Sequence, residues 1–390
     1  MTRAEGSDDP WDLVVVGAGP AGSVAALAAL RTEPTLRVLL LDRAGFPRDK
    51  CCGDGIAPHV ADVLRQVGAE DVTDGWTPVD RLELSRGDHA VEGTMARSVW
   101  VIPREVFDAR LVEKAVAAGA VLRRRRVTRV RTTSGGVVLD DDLRARVVVG
   151  ADGAESVVRS SVSGAKQGLR ALAIRGYAPT PGPGSGRQVI RYCERRQPAY
   201  AWAFDRGDGW SNVGYGELVD RDAHERPTRA LLLEQLDELL PGYVADGTAW
   251  RGHHLPLSGW RWDQPDGPVL LAGDAAGLVN PMTGEGIYYA VATGLLAGRA
   301  AAGAVAAGAP RQAAAGYRAD VRHTLGRHLK HTWTASRLTR RPAIVHAGIR
   351  AAARDRGAFD DLVELGLGDG RITPRLATSL ARALATTGRA

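Results

Sequence analysis

The stretch Trp11-Asp-Leu-Val-Val-Val-Gly-Ala-Gly-Pro-Ala-Gly22 decides the fold of this chain. Its apolar first half is typical of a buried strand, and its glycines fit the spacing G-x-G-x-x-G. In that motif the first glycine allows a tight turn, the second lets the backbone approach a pyrophosphate, and the third lets a helix pack on the strand. We therefore predict that a dinucleotide contacts Gly17, Gly19, Pro20, Ala21 and Gly22.

The next elements complete a strand, turn, helix and strand unit. A helix is predicted over 23–30 and a second buried strand over 38–41. Asp42 ends this strand 20 residues after the last motif glycine, where an acidic side chain binds ribose hydroxyls and disfavours a 2′-phosphate. We count Asp42 and its neighbour Arg43 among the predicted cofactor contacts.

Two later segments repeat the pattern of a buried strand that ends in a glycine and aspartate turn before a helix. One is Val147-Val-Val-Gly-Ala-Asp-Gly153, and the other is Leu270-Leu-Ala-Gly-Asp-Ala-Ala276, which continues to Gly284-Glu-Gly286. Asp274 is suited to accept a hydrogen bond from a ribityl hydroxyl, and amides that open a helix at 284 are suited to a flavin edge that gains negative charge on reduction. The predicted cofactor contacts here are Asp152, Gly153, Gly273, Asp274, Pro281, Gly284, Glu285, Gly286 and Ile287.

The order of these three corners resembles the FAD-binding flavoprotein monooxygenase and reductase superfamily of para-hydroxybenzoate-hydroxylase-like fold. Within it, the chain is similar to the geranylgeranyl reductase family. That closer likeness rests on Lys50-Cys-Cys-Gly-Asp-Gly55, similar to the family's Lys-x-Cys-Gly-x-Gly loop, and on Tyr200-Ala-Trp-Ala-Phe204, similar to its Tyr-x-Trp-x-Phe-Pro motif. Asp205 stands where the family has proline, which bears on the geometry that faces the substrate.

The resemblance implies an α/β fold: a Rossmann-like FAD-binding domain, an interleaved mixed β-sheet domain for the substrate, and C-terminal helices. The predicted FAD-binding domain is discontinuous and comprises 1–75, 96–160 and 255–305. The predicted substrate domain comprises 76–95 and 161–254, and residues 306–390 form the helical region, with helices broken at Pro310, Pro342 and Pro374.

The resemblance also assigns residues to the flavin. It implies that Arg104 contacts FAD and that the loop with Cys52 and Gly53 lies beside the isoalloxazine ring. Cys52 is then either a proton donor or a packing group. Tyr200 and Trp202 either wall an apolar cavity or belong to the core of a sheet. We take Cys52, Tyr200 and Trp202 as the candidate catalytic residues.

The function implied by the resemblance is an FAD-dependent oxidoreductase that reduces carbon–carbon double bonds of an apolar isoprenoid or polyene substrate. Because a second nucleotide motif is lacking, NAD(P)H or another reductant would visit the flavin transiently. The alternatives are an FAD-dependent monooxygenase, a halogenase, or a flavin- or lipid-binding protein without catalytic activity. The sequence leaves the choice between reductase and oxygenase open, as it does the oligomeric state.

Composition restricts the partners and the cellular setting. The 390 residues are 44% hydrophobic and 25% charged, which is ordinary for a folded protein. Three cysteines and a polar N-terminus without a signal-peptide pattern favour a reducing cytoplasm. No run of roughly 18 apolar residues is free of charge, since Arg299 interrupts the longest one. No metal-ligand spacing is evident, so we predict no metal.

The positive charge is concentrated at the C-terminus. Residues 311–390 carry 15 Arg and Lys against 6 Asp and Glu, a net charge of +9, although the whole chain has only +6. This region is interpreted as a solvated helical face, with peripheral association to a membrane surface as the alternative. The run of four arginines at 123–126 has no interleaved aromatic residues, so we predict no nucleic-acid partner.

Overall fold

The computed structural model describes residues 9–386 except 163–167, 182–185, 196–197, 220–226, 261 and 263. The strands are β1 Trp11–Val16, β2 Val38–Asp42, β3 Gly55–Ile56, β4 Val79–Arg86, β5 His89–Val101, β6 Val121–Arg124, β7 Val130–Thr133, β8 Gly136–Leu139, β9 Leu143–Gly150, β10 Arg170–Pro179, β11 Arg187–Tyr192, β12 Ala199–Asp205, β13 Trp210–Leu218, β14 Thr248–Pro256 and β15 Val269–Leu271. The helices are α1 Pro20–Thr32, α2 Pro58–Val67, α3 Arg104–Ala117, α4 Val157–Val162, α5 Arg229–Leu239, α6 Ile287–Ala306, α7 Ala313–Leu338, α8 Pro342–Arg354, α9 Arg356–Leu367 and α10 Pro374–Ala385.

The first sheet has the order β6-β2-β1-β9-β8-β7, and β15 pairs with the C-terminal half of β9. The strands β6, β2, β1, β9 and β15 run parallel, so their carboxyl ends lie at one edge. Val14 and Val15 of β1 are fully buried, as are Leu39 and Leu40 of β2. Burial on both faces of a parallel sheet explains why these strands are continuously apolar. The α/β class with a Rossmann-like nucleotide half is confirmed.

A pair of glycines in α6 allows this helix to lie directly on α1. A Cβ atom at Gly294 would lie 2.3 Å from the carbonyl oxygen of Ala21, and one at Gly298 would lie 2.2 Å from that of Ala25. Helix α6 is long and apolar enough to cross a membrane by length and composition alone. Its close packing on α1 instead gives it the place of a core helix.

The second sheet has the order β14-β10-β13-β12-β11-β4-β5-β3, with neighbours antiparallel except for the parallel pair β11 and β4. This sheet draws its strands from two separate parts of the chain. The strand β5 continues to Val101 within this sheet, although the predicted boundary of the substrate domain falls at 95. The domain boundaries stay predictions.

Two elements differ from their predictions. The turn Ser134-Gly-Gly136 between alternating strands predicts one β-meander over 121–149. In the structure β6 instead pairs in parallel with β2, and the antiparallel meander comprises β7, β8 and β9. The last long helix of the nucleotide half was predicted from 284, but α6 begins at Ile287. Gly284 has a φ of +72°, which lies outside the helical range, so the turn continues further.

Helices α7 to α10 form the C-terminal region and pack on both halves. Pro342 and Pro374 stand at the first position of α8 and α10, where the missing N–H costs no hydrogen bond. His59 of α2 pairs with the C-terminal end of α9 and the loop after it. Its Nε2 lies 3.0 Å from the Glu364 carboxylate and 3.7 Å from that of Asp369. These three side chains could by distance alone hold a metal ion. The ion pair between His59 and Glu364 accounts for their proximity without one.

Candidate active site

The glycine turn after β1 leaves open space only at its second glycine. A Cβ atom at Gly17, whose φ is +100°, would lie 2.3 Å from the carbonyl oxygen of Ala151, and one at Gly22 would lie 1.8 Å from that of Gly17. At Gly19 the nearest atoms are the mobile ends of Arg48 at 3.5 Å and Arg104 at 3.8 Å. The space lies at the N-terminus of α1, where free amides and the helix dipole favour an anion.

Two guanidinium groups face this space and share one buried carboxylate. Arg104 donates to Asp108 through Nε at 2.6 Å and Nη2 at 2.8 Å, and Arg48 Nη1 lies 3.3 Å from the same carboxylate. Burial disfavours the charged guanidinium, but Asp108 and Cys52 nevertheless raise the pKa of Arg104 above its ordinary value. The resemblance pointed to Arg104, whereas Arg48 was missed. A basic residue in the loop after β2 was the only available signal.

The carboxylate of Asp42 accepts hydrogen bonds from two backbone amides, one of which belongs to the glycine turn. Its Oδ2 accepts a hydrogen bond from the amide of Ala18 at 2.9 Å, and its Oδ1 accepts one from Ala44 at 2.9 Å. Each carboxylate oxygen keeps a second lone pair, so the predicted contact with ribose hydroxyls remains open to it. Arg43 lines the same cavity as Asp42.

The second corner is built around helix capping. Asp152 accepts hydrogen bonds from the amides of Val157 at 2.7 Å and Val158 at 3.1 Å, at the start of α4. Gly153 has a φ of +83°, which glycine adopts without strain. Both residues line the cavity. The carboxylate of Asp152 is thus largely used within the protein, and a direct cofactor contact for it stays a prediction.

The third corner holds an ion pair that the sequence did not reveal. Lys50 Nζ lies 3.1 Å from Asp274 Oδ2, although the two residues are 224 positions apart. Burial tends to raise the pKa of Asp274, but Lys50, together with His253 and Arg104, lowers it overall, so the carboxylate stays charged. Burial and Lys50 lower the pKa of the adjacent His253 to about 4, which leaves the imidazole neutral.

The loop before α6 is held largely by its own hydrogen bonds. The amide of Gly284 donates to the carbonyl oxygen of Asn280 at 2.9 Å, and that of Glu285 donates to Thr283 Oγ1 at 3.4 Å. Glu285 accepts from the amide of Tyr288 at 2.9 Å, and burial raises its pKa to about 7. Two of the amides predicted to face the flavin edge are therefore used within the loop. Pro281, Gly286 and Ile287 line the cavity together with them.

The loop that contains Cys52 is anchored to the second sheet by a buried polar network. Asn212 donates to the Cys52 carbonyl oxygen at 2.9 Å and to Asp54 Oδ2 at 2.8 Å. Tyr177 donates to the same Asp54 oxygen at 2.6 Å. Burial raises the pKa of Asp54 to about 6, and burial likewise raises the pKa of the Cys52 thiol. The thiol of Cys52 is therefore protonated at neutral pH.

The aromatic residues of β12 form one wall of the cavity. Tyr200, Trp202 and Phe204 alternate along the strand and share a face, with ring centroids 6.0 and 6.3 Å apart. Trp202 Nε1 donates to Asn212 Oδ1 at 2.9 Å, so this wall and the Cys52 loop share one anchor. The hydroxyl of Tyr200 donates to the carbonyl oxygen of Thr283 and thereby fixes the loop before α6.

The residue that departs from the family motif has a structural role at the strand end. Asp205 is buried and accepts hydrogen bonds from the amides of Gly186 at 2.8 Å and Gly207 at 2.9 Å. It is not among the residues that line the cavity. The replacement of proline by Asp205 thus acts on the turn between β12 and β13.

One cavity of about 1330 Å³ is lined by residues of the three glycine and aspartate corners, of the Cys52 loop and of the aromatic wall. It runs from the glycine turn past the Cys52 loop and the aromatic wall, and continues between the C-terminal helices. Most of its wall beyond the flavin corners is apolar and includes Leu84, Met95 and Ile190 of the second sheet and Ile349, Leu362 and Leu380 of the helices. The sequence points to an apolar cavity only within the predicted substrate domain, at Tyr200 and Trp202. The contribution of α7 to α10 was missed, because a period of 3.6 residues does not reveal what a helix packs against.

Comparisons with known proteins agree with this architecture. The family described as an FAD binding domain matches residues 11–181. A menaquinone reductase from Mycolicibacterium smegmatis is 34% identical over 311 residues, which cover 73% of this chain and 75% of that protein. The digeranylgeranylglycerophospholipid reductase 1 of Methanopyrus kandleri is 34% identical over 322 residues, which cover 76% of this chain and 81% of that protein.

A solved structure shows the same fold. The geranylgeranyl bacteriochlorophyll reductase-like protein of Thermoplasma acidophilum superposes with a TM-score of 0.75 at 20% identity, and the superposition covers 97% of this chain and 96% of that one. The fold therefore extends over the C-terminal helices as well as the nucleotide-binding half.

Proposed function

This chain belongs to the geranylgeranyl reductase family of FAD-dependent oxidoreductases, and from that premise we propose that it reduces carbon–carbon double bonds of a long apolar isoprenoid or polyene substrate. The observation that carries the proposal is the continuity of one cavity, which extends from the three glycine and aspartate corners into a long apolar region. The names of the two relatives support the same substrate class.

The residues around the glycine turn fit the dinucleotide. We assign Arg48, Arg104 and the amides of α1 to the pyrophosphate, and Asp42 to the ribose. Asp274 is assigned to the ribityl chain, with its charge maintained by Lys50. Bound FAD, once reduced by NAD(P)H or another two-electron donor, supplies the hydride for the reaction.

The protein itself orients the substrate, excludes water from the double bond and supplies a proton. The apolar walls hold the double bond in place and exclude water from it. One carbon of the double bond receives the hydride, and the other must receive a proton for the product to be neutral. Cys52 is our candidate donor, because burial keeps its thiol protonated and because the loop lies in the cavity. We assign Tyr200 and Trp202 to positioning, since both polar atoms are engaged within the protein.

Anaerobic reoxidation tests this proposal directly. The flavin of the purified protein is reduced chemically without oxygen, and a polyprenyl compound is added while the flavin absorbance is followed. We expect the oxidised flavin spectrum to return as a product two hydrogens heavier forms in equal amount. Reoxidation that requires oxygen, with an oxygenated product, would instead establish the monooxygenase that the sequence left open.

The proposal includes a cellular location. We propose that the enzyme is cytoplasmic and that its basic C-terminal helices associate peripherally with a membrane, where a long apolar substrate resides. The support is the net charge of +9 in residues 311–390.

A further inference from the structure

The C-terminal helices, which are remote in sequence from the flavin corners, form a wall of the long cavity that is partly exposed to solvent. Leu338 at the end of α7 and Leu384 near the end of α10 both line the cavity, and yet they are 41% and 36% exposed. Ile344 and Gly348 of α8 and Leu380 of α10 line the cavity beside them. We call the part of this wall formed by Leu338, Ile344, Leu380 and Leu384 the helical mouth.

We propose that the helical mouth lies on an anionic lipid bilayer and admits the apolar chain of a membrane-resident substrate sideways into the cavity. The inference rests on the proposed function for the identity of the chain that enters. The bilayer contact itself rests on the exposed leucines and on the charge around them.

The segments of α7, α8 and α10 next to the helical mouth carry only positive charge. The segments 331–354 and 374–386 contain no aspartate or glutamate, and their arginines are Arg337, Arg340, Arg341, Arg350, Arg354, Arg375 and Arg382. Arg375 is paired with Asp361 of α9. Arg340, Arg341 and Arg382 are exposed, and none of them forms a salt bridge within the part of the chain that the structure describes. Apolar side chains framed by such arginines match the acyl and headgroup layers of an anionic bilayer.

This arrangement explains why the cavity does not end at the sheet. A polyprenyl chain that left the bilayer through water would expose its whole apolar surface. A mouth placed on the bilayer lets the chain pass from lipid to protein with that surface covered throughout. The stripe Ala377, Leu380, Ala381 and Leu384 along α10 lines such a path, since residues three to four positions apart share a helix face.

Vesicle binding tests the inference without reference to catalysis. The flavin-loaded protein is sedimented with vesicles of phosphatidylcholine alone and with vesicles of phosphatidylcholine and phosphatidylglycerol in equal parts. We expect binding only to the anionic vesicles, and we expect it to weaken as salt is raised. The triple variant Arg340→Glu, Arg341→Glu and Arg382→Glu should bind these vesicles more weakly by on the order of 100-fold.

A matched variant keeps the change in net charge but moves it away from the mouth. Arg144, Arg322 and Arg327 are exposed in β9 and in the earlier turns of α7, and their replacement by glutamate should leave vesicle binding nearly unchanged. Equal losses in both triple variants, no binding to anionic vesicles, or preferential binding to a DNA duplex would each overturn the inference. Flavin content and thermal unfolding confirm that both variants are folded.

A second measurement separates this inference from the proposed function. The unmodified protein is assayed anaerobically with a short prenyl compound dissolved in water. Turnover of this compound together with absent vesicle binding would support the reductase function and contradict the membrane contact of the helical mouth. Vesicle binding that depends on the three arginines, without turnover of any prenyl compound, would support the membrane contact and contradict the reductase function.

Discussion

At the scale of single residues, the three motif glycines carry different physical constraints. Gly17 and Gly22 are required by close backbone contacts, since a Cβ atom at either would overlap a carbonyl group. Gly19 has an ordinary φ of −72° and open space beside it. Only the second glycine therefore faces space that a ligand can occupy. Substitutions at Gly17 and Gly22 should impair folding, whereas a substitution at Gly19 should impair cofactor binding.

Replacement of Gly19 by valine should give a folded protein that lacks flavin. The side chain would occupy the space in front of α1 where we place the pyrophosphate, while its backbone angles suit valine. The measurement is the ratio of flavin to protein absorbance after purification, together with the unfolding temperature. Gly303→Val in the exposed part of α6 is the control and should retain flavin. A yellow Gly19→Val protein would contradict the assignment.

Asp54 makes the stability of the protein depend on pH in an unusual direction. Its folded pKa of about 6 lies above the ordinary 3.8, so the folded state holds a proton that the unfolded state releases. Stability is therefore lost as the pH rises from about 4 to about 6, by about 3 kcal/mol in total. Asp54→Asn lacks this loss because its amide does not ionise.

We expect the unfolding free energy of Asp54→Asn, relative to that of the unmodified protein, to increase across this pH range. Urea unfolding at about pH 4 and about pH 6.5 measures it. Glu364→Gln, at a carboxylate whose pKa is lowered, should show the opposite trend and serves as the comparison. A difference that stays constant with pH would show that Asp54 is ionised at all these values.

At the scale of elements, the pair His59 and Glu364 joins α2 to α9 and thus fixes the C-terminal region on the nucleotide half. Burial tends to lower the pKa of His59, but the hydrogen bond to Glu364 and the charges of Glu364 and Asp369 raise it overall, and the same pair lowers the pKa of Glu364. The stabilisation from His59 is present below its unfolded pKa and lost as the pH rises through the folded pKa. That from Glu364 is lost as the pH falls below its ordinary range.

A double-mutant cycle with His59→Gln and Glu364→Gln should therefore give a coupling energy that is largest near pH 5.5 and small near about pH 8.5. We expect about 1 kcal/mol or less at the maximum, because Glu364 is 39% exposed and solvent screens the pair. Chemical unfolding of the four proteins at the two pH values provides the measurement. A coupling energy that is equal at both values would rule out an ionic origin.

At the scale of the whole molecule, the cavity brings together groups from both sheets and from the C-terminal helices. Lys50, Trp202 and Leu380 line the same space, although they belong to a loop, a strand of the second sheet and the last helix. Any ligand that fills this space contacts all of these parts at once. Cofactor binding should consequently stabilise the molecule as a unit.

Removal and restoration of FAD should shift the unfolding temperature of the whole protein. A ligand that binds only the folded state stabilises it by about 2.7 kcal/mol at a concentration of one hundred times its Kd. Calorimetry of the apoprotein with increasing FAD should show one transition that moves upward. Addition of AMP, which lacks the flavin half, should move it less. A transition that is insensitive to FAD would contradict a site that spans these parts.

Much of the nucleotide half could be predicted from sequence because its determinants are local. The apolar run 11–16, the three glycines and Asp42 lie within 32 residues, and their types and spacing are visible in that short stretch of sequence. Proline at the first position of α8 and α10 likewise sets where those helices begin. The family resemblance added Arg104 and the Cys52 loop, which the cavity brings together with the glycine turn.

The sequence by itself thus determined the parallel unit that binds a dinucleotide, through periodicity and turn geometry that act over a few residues, and the family resemblance identified that dinucleotide as FAD. Only the tertiary structure decided that Lys50 pairs with Asp274, that Asp54 and Asn212 hold the Cys52 loop, and that the C-terminal helices extend the cavity. These contacts join residues far apart in the chain, and their energies depend on burial and on distance in space. Neither quantity is encoded in any local pattern of side chains.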